Sequence, residues 1–349
     1  MPLKARAFTP LRPMLLLGAL LYTSAGCSHR PVLLVVDQDA GPGHRGAIFQ
    51  VNPATGEVSL FARSDLFHKP QDILQLADRS FLVLDYGPDF EGGKIFRLSR
   101  DGASCERVSI PEGLTDPYQF ERAPDGSIWI VDKNADPLGL NQGQPGKTGT
   151  LWRLSADFQR LTVVATGPPL RAPAGIQFTK DGVFLLDADA FRVEPYDLAN
   201  PEGGILSINE AAPTVVLKFQ SLVSPLGFCR LDDGRFIVID VNADPQVRQR
   251  IRGAIYIADP RDGTTKLFAT HPDFRDPVNC LRHGPDLLVV DPNADPLNLG
   301  DDGHALSQYA GKGHGGIYRV NLDTRKVELW AASELFISPI RIRTASLAP

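Results

Sequence analysis

Cysteine is scarce in this chain: only Cys27, Cys105, Cys229 and Cys280 occur among 349 residues. So few thiols exclude a disulfide-held scaffold, and the three beyond Cys27 cannot all pair within one chain. No strong excess of either charge is present, since 36 basic against 41 acidic residues leave a net charge of -5. A basic face for polyphosphate is therefore missing, and nucleic acid is not an expected partner. Long apolar runs at a 3.6-residue period are also missing, so helices should be few and short. The Gly-x-Ser-x-Gly elbow of a serine nucleophile is absent as well.

Glycine (32) and proline (29), by contrast, are plentiful and regularly placed. A short apolar run ending on aspartate and followed by an Asn/Asp/Pro loop recurs along the chain. The clearest copies are Leu288 to Pro296, Ile130 to Pro137 and Val238 to Pro245; weaker ones centre on Asp37, Asp85 and Asp187. The leading aspartates Asp37, Asp85, Asp132, Asp187, Asp240 and Asp291 stand 48, 47, 55, 53 and 51 residues apart. A period near 50 with glycine-led turns suits one four-stranded propeller blade per repeat.

Each repeat divides into the same four strands. In the third, Asp116 to Arg122 leads through the turn Pro124-Asp125-Gly126 into Ser127 to Asp132, then Gly149 to Leu154, then Leu161 to Ala165. First strands follow Pro70, Pro117, Pro173, Pro225 and Pro277, and third strands open on a glycine. Second strands are apolar on both faces, as a sheet covered on both sides requires. Cys229 and Cys280 fall in corresponding strands of neighbouring repeats, where they read as small buried apolar residues that lie close together. The repeat at Val32 lacks a first strand, and Ser338 to Arg343 copies Ser224 to Cys229. The sequence thus predicts an all-β fold, a six-bladed β-propeller over 32–349, closed by its C-terminal strand pairing into the N-terminal blade. Closure removes the open sheet edge.

Antiparallel alternation sets all six Asp/Asn loops and all six proline-led strand starts around one mouth of the channel. Loops there reach 24 residues, between Asp291 and Gly316, and long loops on a rigid scaffold are where binding is usually built. The leading aspartates read as structural. In the loops, Asn134, Asp136, Asn242, Asp244, Asn293 and Asp295 place oxygens at alternate positions, as the start of a calcium loop does. The other reading is that they brace the loops as Asx turns. His44, His304 and His314 lie in the same loops as candidate bases or ligands.

Ahead of the repeats, Lys4, Arg6 and Arg12 precede the nine apolar residues Met14 to Tyr22. That is too short to span a membrane and reads as a signal peptide over 1–26. Ser24-Ala25-Gly26-Cys27 resembles the lipobox of bacterial lipoproteins, which implies a lipidated Cys27, a short linker over 27–31, and a place in the cell envelope. Ser28 after the cysteine resembles outer-membrane sorting, facing periplasm or exterior. The alternative is secretion after cleavage nearby.

Pro173-Ala174-Gly175-Ile176 followed by Asp181 to Asp187 resembles an NHL repeat, and Pro225 to Phe228 with Asp233 to Asp240 is a second copy. The pattern is also similar to senescence-marker-protein/gluconolactonase-like propellers. That resemblance implies a divalent metal, calcium or another, at the channel mouth. Asp72, Gln119 and Asn279, each second after its lead proline, are the matching oxygen donors. Arg341 takes the same place in the first blade, and the family's early acidic strand and Asn-Gly pair are missing. Two functions follow as expectations. One is a binding or scaffold module that meets a protein, peptide, glycan or small molecule on its loop-rich face, touching the membrane only through its lipid. The alternative is a metal-dependent hydrolase or lyase acting on a lactone or small ester.

Overall fold

The computed structural model describes residues 30–43, 45–87, 92–140, 148–191, 203–209, 212–219, 222–243, 253–297 and 315–347. These form 24 strands and no helix, arranged as six separate four-stranded antiparallel sheets. Blade 1 contains β1 (Arg30–Asp37), β2 (Ala47–Val51) and β3 (Val58–Arg63); blade 2 contains β4 (Pro70–Gln75), β5 (Phe81–Asp85), β6 (Lys94–Leu98) and β7 (Cys105–Arg107). Blade 3 follows with β8 (Pro117–Arg122), β9 (Ile128–Asp132), β10 (Thr150–Leu154) and β11 (Leu161–Thr166). Blade 4 has β12 (Pro173–Thr179), β13 (Gly182–Asp187), β14 (Gly204–Ile208) and β15 (Pro213–Lys218). Blade 5 has β16 (Pro225–Arg230), β17 (Phe236–Asp240), β18 (Ala254–Asp259) and β19 (Thr264–Ala269). Blade 6 has β20 (Asn279–His283), β21 (Asp286–Asp291), β22 (Gly316–Asn321) and β23 (Val327–Ala332). Last comes β24 (Pro339–Leu347), which pairs with β1 from Arg30 opposite Leu347 to Asp37 opposite Pro339 and completes blade 1.

The predicted architecture and its closure are both present. Only the short β7 was not legible, since Cys-Glu-Arg carries no apolar run. The ring is held by what lies between blades. Each of the six apolar clusters is shared by two neighbouring blades, such as Leu34 and Val36 of blade 1 against Ile73 and Val83 of blade 2. Alternate residues of one second strand serve opposite interfaces: Leu33 and Val35 turn to blade 6 while Leu34 and Val36 turn to blade 2. This is why those strands are apolar throughout.

The glycine and proline of each repeat meet across the same interfaces. A Cβ on Gly149, just before β10, would stand 2.1 Å from Pro173 Cδ of blade 4, and one on Gly46 would stand 2.1 Å from Pro70 Cγ. Gly93, Gly203, Gly253 and Gly315 oppose Pro117, Pro225, Pro277 and Pro339 in the same way. The requirement is space for the neighbouring ring, joined only at Gly315 by a positive φ of 104°.

Candidate functional site

The loop-rich mouth is built on the leading aspartates. Asp132 is fully buried and accepts backbone N–H bonds from Thr115 (2.8 Å), Asp116 (2.9 Å), Asn134 (3.3 Å) and Ala135 (3.1 Å). Asp291 does the same for Arg275, Asp276, Asn293 and Ala294. Asp37 takes the amides of Asp39, Ile337 and Ser338, and so clips the closing strand to blade 1. One carboxylate thus joins the end of a second strand to the lead-in of the first strand in the same blade. Burial outweighs these amides and raises Asp187 and Asp291 to about 7, and Asp37 and Asp132 to about 6.

Within the loops, Asn134 Nδ2 donates to Asp116 Oδ2 at 2.5 Å, and Asn293 donates likewise to Asp276. Asp136 Oδ1 accepts the amide of Leu140 at 2.7 Å. Asn242 donates its backbone amide to Asp240 at 3.2 Å, and Asp295 is half-buried beside Ala294. These contacts are those of braced loops. Cys27, the segment 1–26, His44, His304, His314 and Asp244 lie outside the described residues.

The three residues expected on the axis, Asp72, Gln119 and Asn279, stand on the innermost strands β4, β8 and β20, and each reaches into a neighbouring blade. Asp72 is fully buried; its Oδ2 accepts the amide of Phe120 in blade 3 (3.2 Å) and its Oδ1 that of Ile73 (2.9 Å). Gln119 bonds both backbone groups of Ile176 in blade 4, each at 3.2 Å. Asn279 Oδ1 accepts the amide of Ile342 in blade 1 at 3.2 Å. At the same position Gly175 and Gly227 have no side chain; a Cβ on Gly175 would meet Phe228 of blade 5 at 2.8 Å. The arginine of the set, Arg341, donates to the carbonyls of Gln71 (3.5 Å) and Tyr118 (3.2 Å). Four of the six positions therefore carry a side chain that links its blade to another.

Arg343, two residues beyond Arg341 on the same side of β24, dominates the centre. It donates to both Asp72 oxygens (2.9 and 2.6 Å), to Glu121 (2.7 Å) and to the Phe120 carbonyl (2.8 Å). Burial opposes its charge, but Asp72 and Glu121 more than offset that and hold the guanidinium above its ordinary value. Arg341 stands 3.8 Å from Asp72. Towards the mouth the Tyr118 ring lies between Lys133 Nζ (3.4 Å) and the Arg341 guanidinium (5.3 Å). Burial, then the charge of Asp116, keeps nearby Tyr86 well above its usual range.

This donor set does not suit a divalent cation. The one axial carboxylate of the three is engaged by Arg343, the two amide oxygens hold backbone N–H groups, and the guanidinium groups of Arg343 and Arg341 stand 2.6 and 3.8 Å from that carboxylate, where their charge repels a cation. Among the described residues no group of three or more His, Cys, Asp or Glu is placed to hold a metal. Arg343 and Glu121 were missed in the sequence, although the two-residue strand period places Arg343 beside Arg341.

The two faces differ in surface. Tight turns on the opposite face are studded with ion pairs, Arg97–Asp78, Arg153–Asp125, Arg235–Asp233 and Arg261–Asp259 among them. Exposed large apolar residues fall, among the described residues, either on outermost strands or on the loop face. Those on the loop face are Leu66, Leu138, Leu140, Leu297 and Leu335, with Leu138 65% exposed.

No protein-family model matches the sequence, and no curated protein matches it. By shape, 624 solved chains match, too many for the likeness to name an activity. A chain of a nidogen/laminin complex is similar over 90% of this chain and 98% of its own, with a TM-score of 0.59 and 13% identity. A gluconolactonase of Xanthomonas campestris is similar over 70% of this chain and 75% of its own, with a TM-score of 0.48 and 17% identity. A candidate 6-phosphogluconolactonase of Bacteroides fragilis is similar over 91% of this chain and 98% of its own, with a TM-score of 0.55 and 13% identity. What the chain shares with the first and third of these proteins is the β-propeller fold, here built of six blades.

Proposed function

We propose that this propeller is a binding module that receives a protein or peptide on its loop-rich face. The observation that supports it is the segregation of exposed leucines outside the outer strands onto that face, opposite a face of ion pairs. Apolar side chains rimmed by polar loops mark a docking surface. The alternative, a metal-dependent hydrolase of lactones or small esters, needs a cation on the axis. There Arg343 already neutralises Asp72. On this reading the module sits in the cell envelope, held by lipid on Cys27.

A photo-reactive phenylalanine analogue placed at Leu138, Leu140 or Leu335 of the full chain, irradiated in the producing cell, tests the docking face. An adduct of one discrete mass is expected from these sites and not from Asp125 or Asp262 on the opposite face. No adduct, or equal adducts from both faces, overturns the reading. Thermal melts in calcium and in chelator should coincide, whereas a cation bound only by the folded state would add about 2.7 kcal/mol at a hundredfold excess over Kd. A calcium shift lost in the Asp136→Ala, Asp244→Ala, Asp295→Ala variant would place a cation in the loops. Lactone hydrolysis that chelation abolishes and Asp72→Ala removes would establish the enzyme instead. Cys27→Ala should release the protein from the membrane fraction; continued association refutes the anchor.

A further inference from the structure

Cys229 and Cys280 meet where blades 5 and 6 touch. Cys229, fourth after Pro225 on β16, turns toward blade 6, and Cys280, third after Pro277 on β20, turns back toward blade 5. At the place of Cys280 the other five blades carry a large apolar residue, Ile73, Phe120, Ile176, Phe228 and Ile342. Among the described residues, only this interface has a thiol on each side. Both are free, and they lie within hydrogen-bond reach of one another.

The backbones of the two strands approach closely beside the pair: a Cβ on Gly227 would stand 2.9 Å from the Val278 carbonyl oxygen and 3.0 Å from Asn279 Cα. The strands are regular there, with Cys229 opposite Ile237 and Cys280 opposite Val289, so both Cβ vectors are fixed by the sheets. We propose that Cys229 and Cys280 form a disulfide joining the innermost strands of blades 5 and 6, made by exchange with a small-molecule or protein disulfide as the ring assembles. One cysteine thiolate attacks the oxidant disulfide and displaces a thiolate. The second cysteine thiolate then attacks the mixed disulfide and displaces the other. Two electrons leave the cysteine sulfurs, the oxidant becomes two thiols, and the two cysteine protons end on them.

Assembly is the moment for this step because the finished ring shields the pair. Cys229 and Cys280 are 5% and 7% exposed, and the Cys229 contact followed by burial pushes the Cys280 thiol well above its usual range. The Cys280 thiolate, a reacting form, is therefore scarce once blades 5 and 6 are seated.

The test refolds the full chain from denaturant with reduced and oxidised glutathione, then alkylates free thiols and digests without reduction. The expected result is a Cys229–Cys280 peptide pair that reduction separates, with Cys105 alkylated. Full alkylation of Cys229 and Cys280 in the refolded native protein overturns the proposal, as does a link from either to Cys27 or Cys105. Folded protein prepared reduced should form the same link many-fold more slowly; equally fast oxidation would overturn the timing.

Discussion

Removing the Asp72 carboxylate tests whether the axis is a closure device. Asp72 is fully buried and receives four hydrogen bonds within 3.2 Å, two from Arg343 and two from backbone amides. Asp72→Ala strands the Phe120 amide, which costs about 1–3 kcal/mol. It also leaves Arg341 without its carboxylate and Arg343 with Glu121 alone; breaking a buried pair in this way costs about 3–5 kcal/mol in all. A ring of about 320 residues unfolds with an entropy of about 0.7 kcal/mol/K, so a 4 kcal/mol loss lowers the Tm by about 6 °C. Asp72→Asn keeps an acceptor for Phe120 and should lose less. The assay is urea unfolding of Asp72→Ala, Arg343→Ala and the double variant. The two single losses should not add, because each removes the same contact. A loss below about 1 kcal/mol for Asp72→Ala, as for an exposed pair, or additivity within about 0.5 kcal/mol, would refute this account of the axis.

Deleting residues from Ser338 onward bares the edge of β1 in blade 1 and removes the Ser338 amide from Asp37; unfolding or aggregation is expected in size-exclusion runs, and an unchanged melt would refute closure. Gly149→Ala drives a methyl into Pro173 and should cost about 1–3 kcal/mol, as overpacking does, read as a urea midpoint shift; no shift would show that the interface yields. Burial raises Asp187, Asp291, Asp37 and Asp132 above the carboxylate range of the unfolded chain. The folded ring then binds protons that the unfolded chain has lost, so stability falls as pH rises from about 4 through about 7 and levels off above. Asp78, Asp125 and Asp233 are lowered by hydrogen bonds to Ser80, Ser127 and Arg235 respectively, so their contribution is lost only below about pH 4. A higher urea midpoint at pH 8 than at pH 5 would mean that the amides outweigh burial.

Much of the ring was legible because each blade repeats a chemistry that cannot be moved. Aspartate must end the second strand to hold two turns, and proline must meet glycine across the next interface. The copy of Ser224-Pro225 at Ser338-Pro339 gave closure away. The axis was harder to read. Counting from proline puts Asp72, Gln119 and Asn279 on innermost strands, but their partners belong to other blades 48, 57 and 63 residues away. Which neighbour a side chain touches depends on the ring being shut, and Arg343 gains its meaning only through Asp72 and Glu121. Cys229 and Cys280 were legible as corresponding positions in neighbouring repeats, but whether they are joined was not, because that depends on how blades 5 and 6 seat against each other.

The pairing of Arg30 with Leu347 gives the molecule a handle and a free side. Both described termini leave the ring among the tight turns, while Asp37 and Pro339 at the other end of the same pair open onto the loops. Anything that holds the chain upstream of Arg30, whether a lipid or a surface to which the protein is coupled, grips it by the ion-paired turns. The leucine-bearing loops then point outward, and a partner can land on them without passing the attachment.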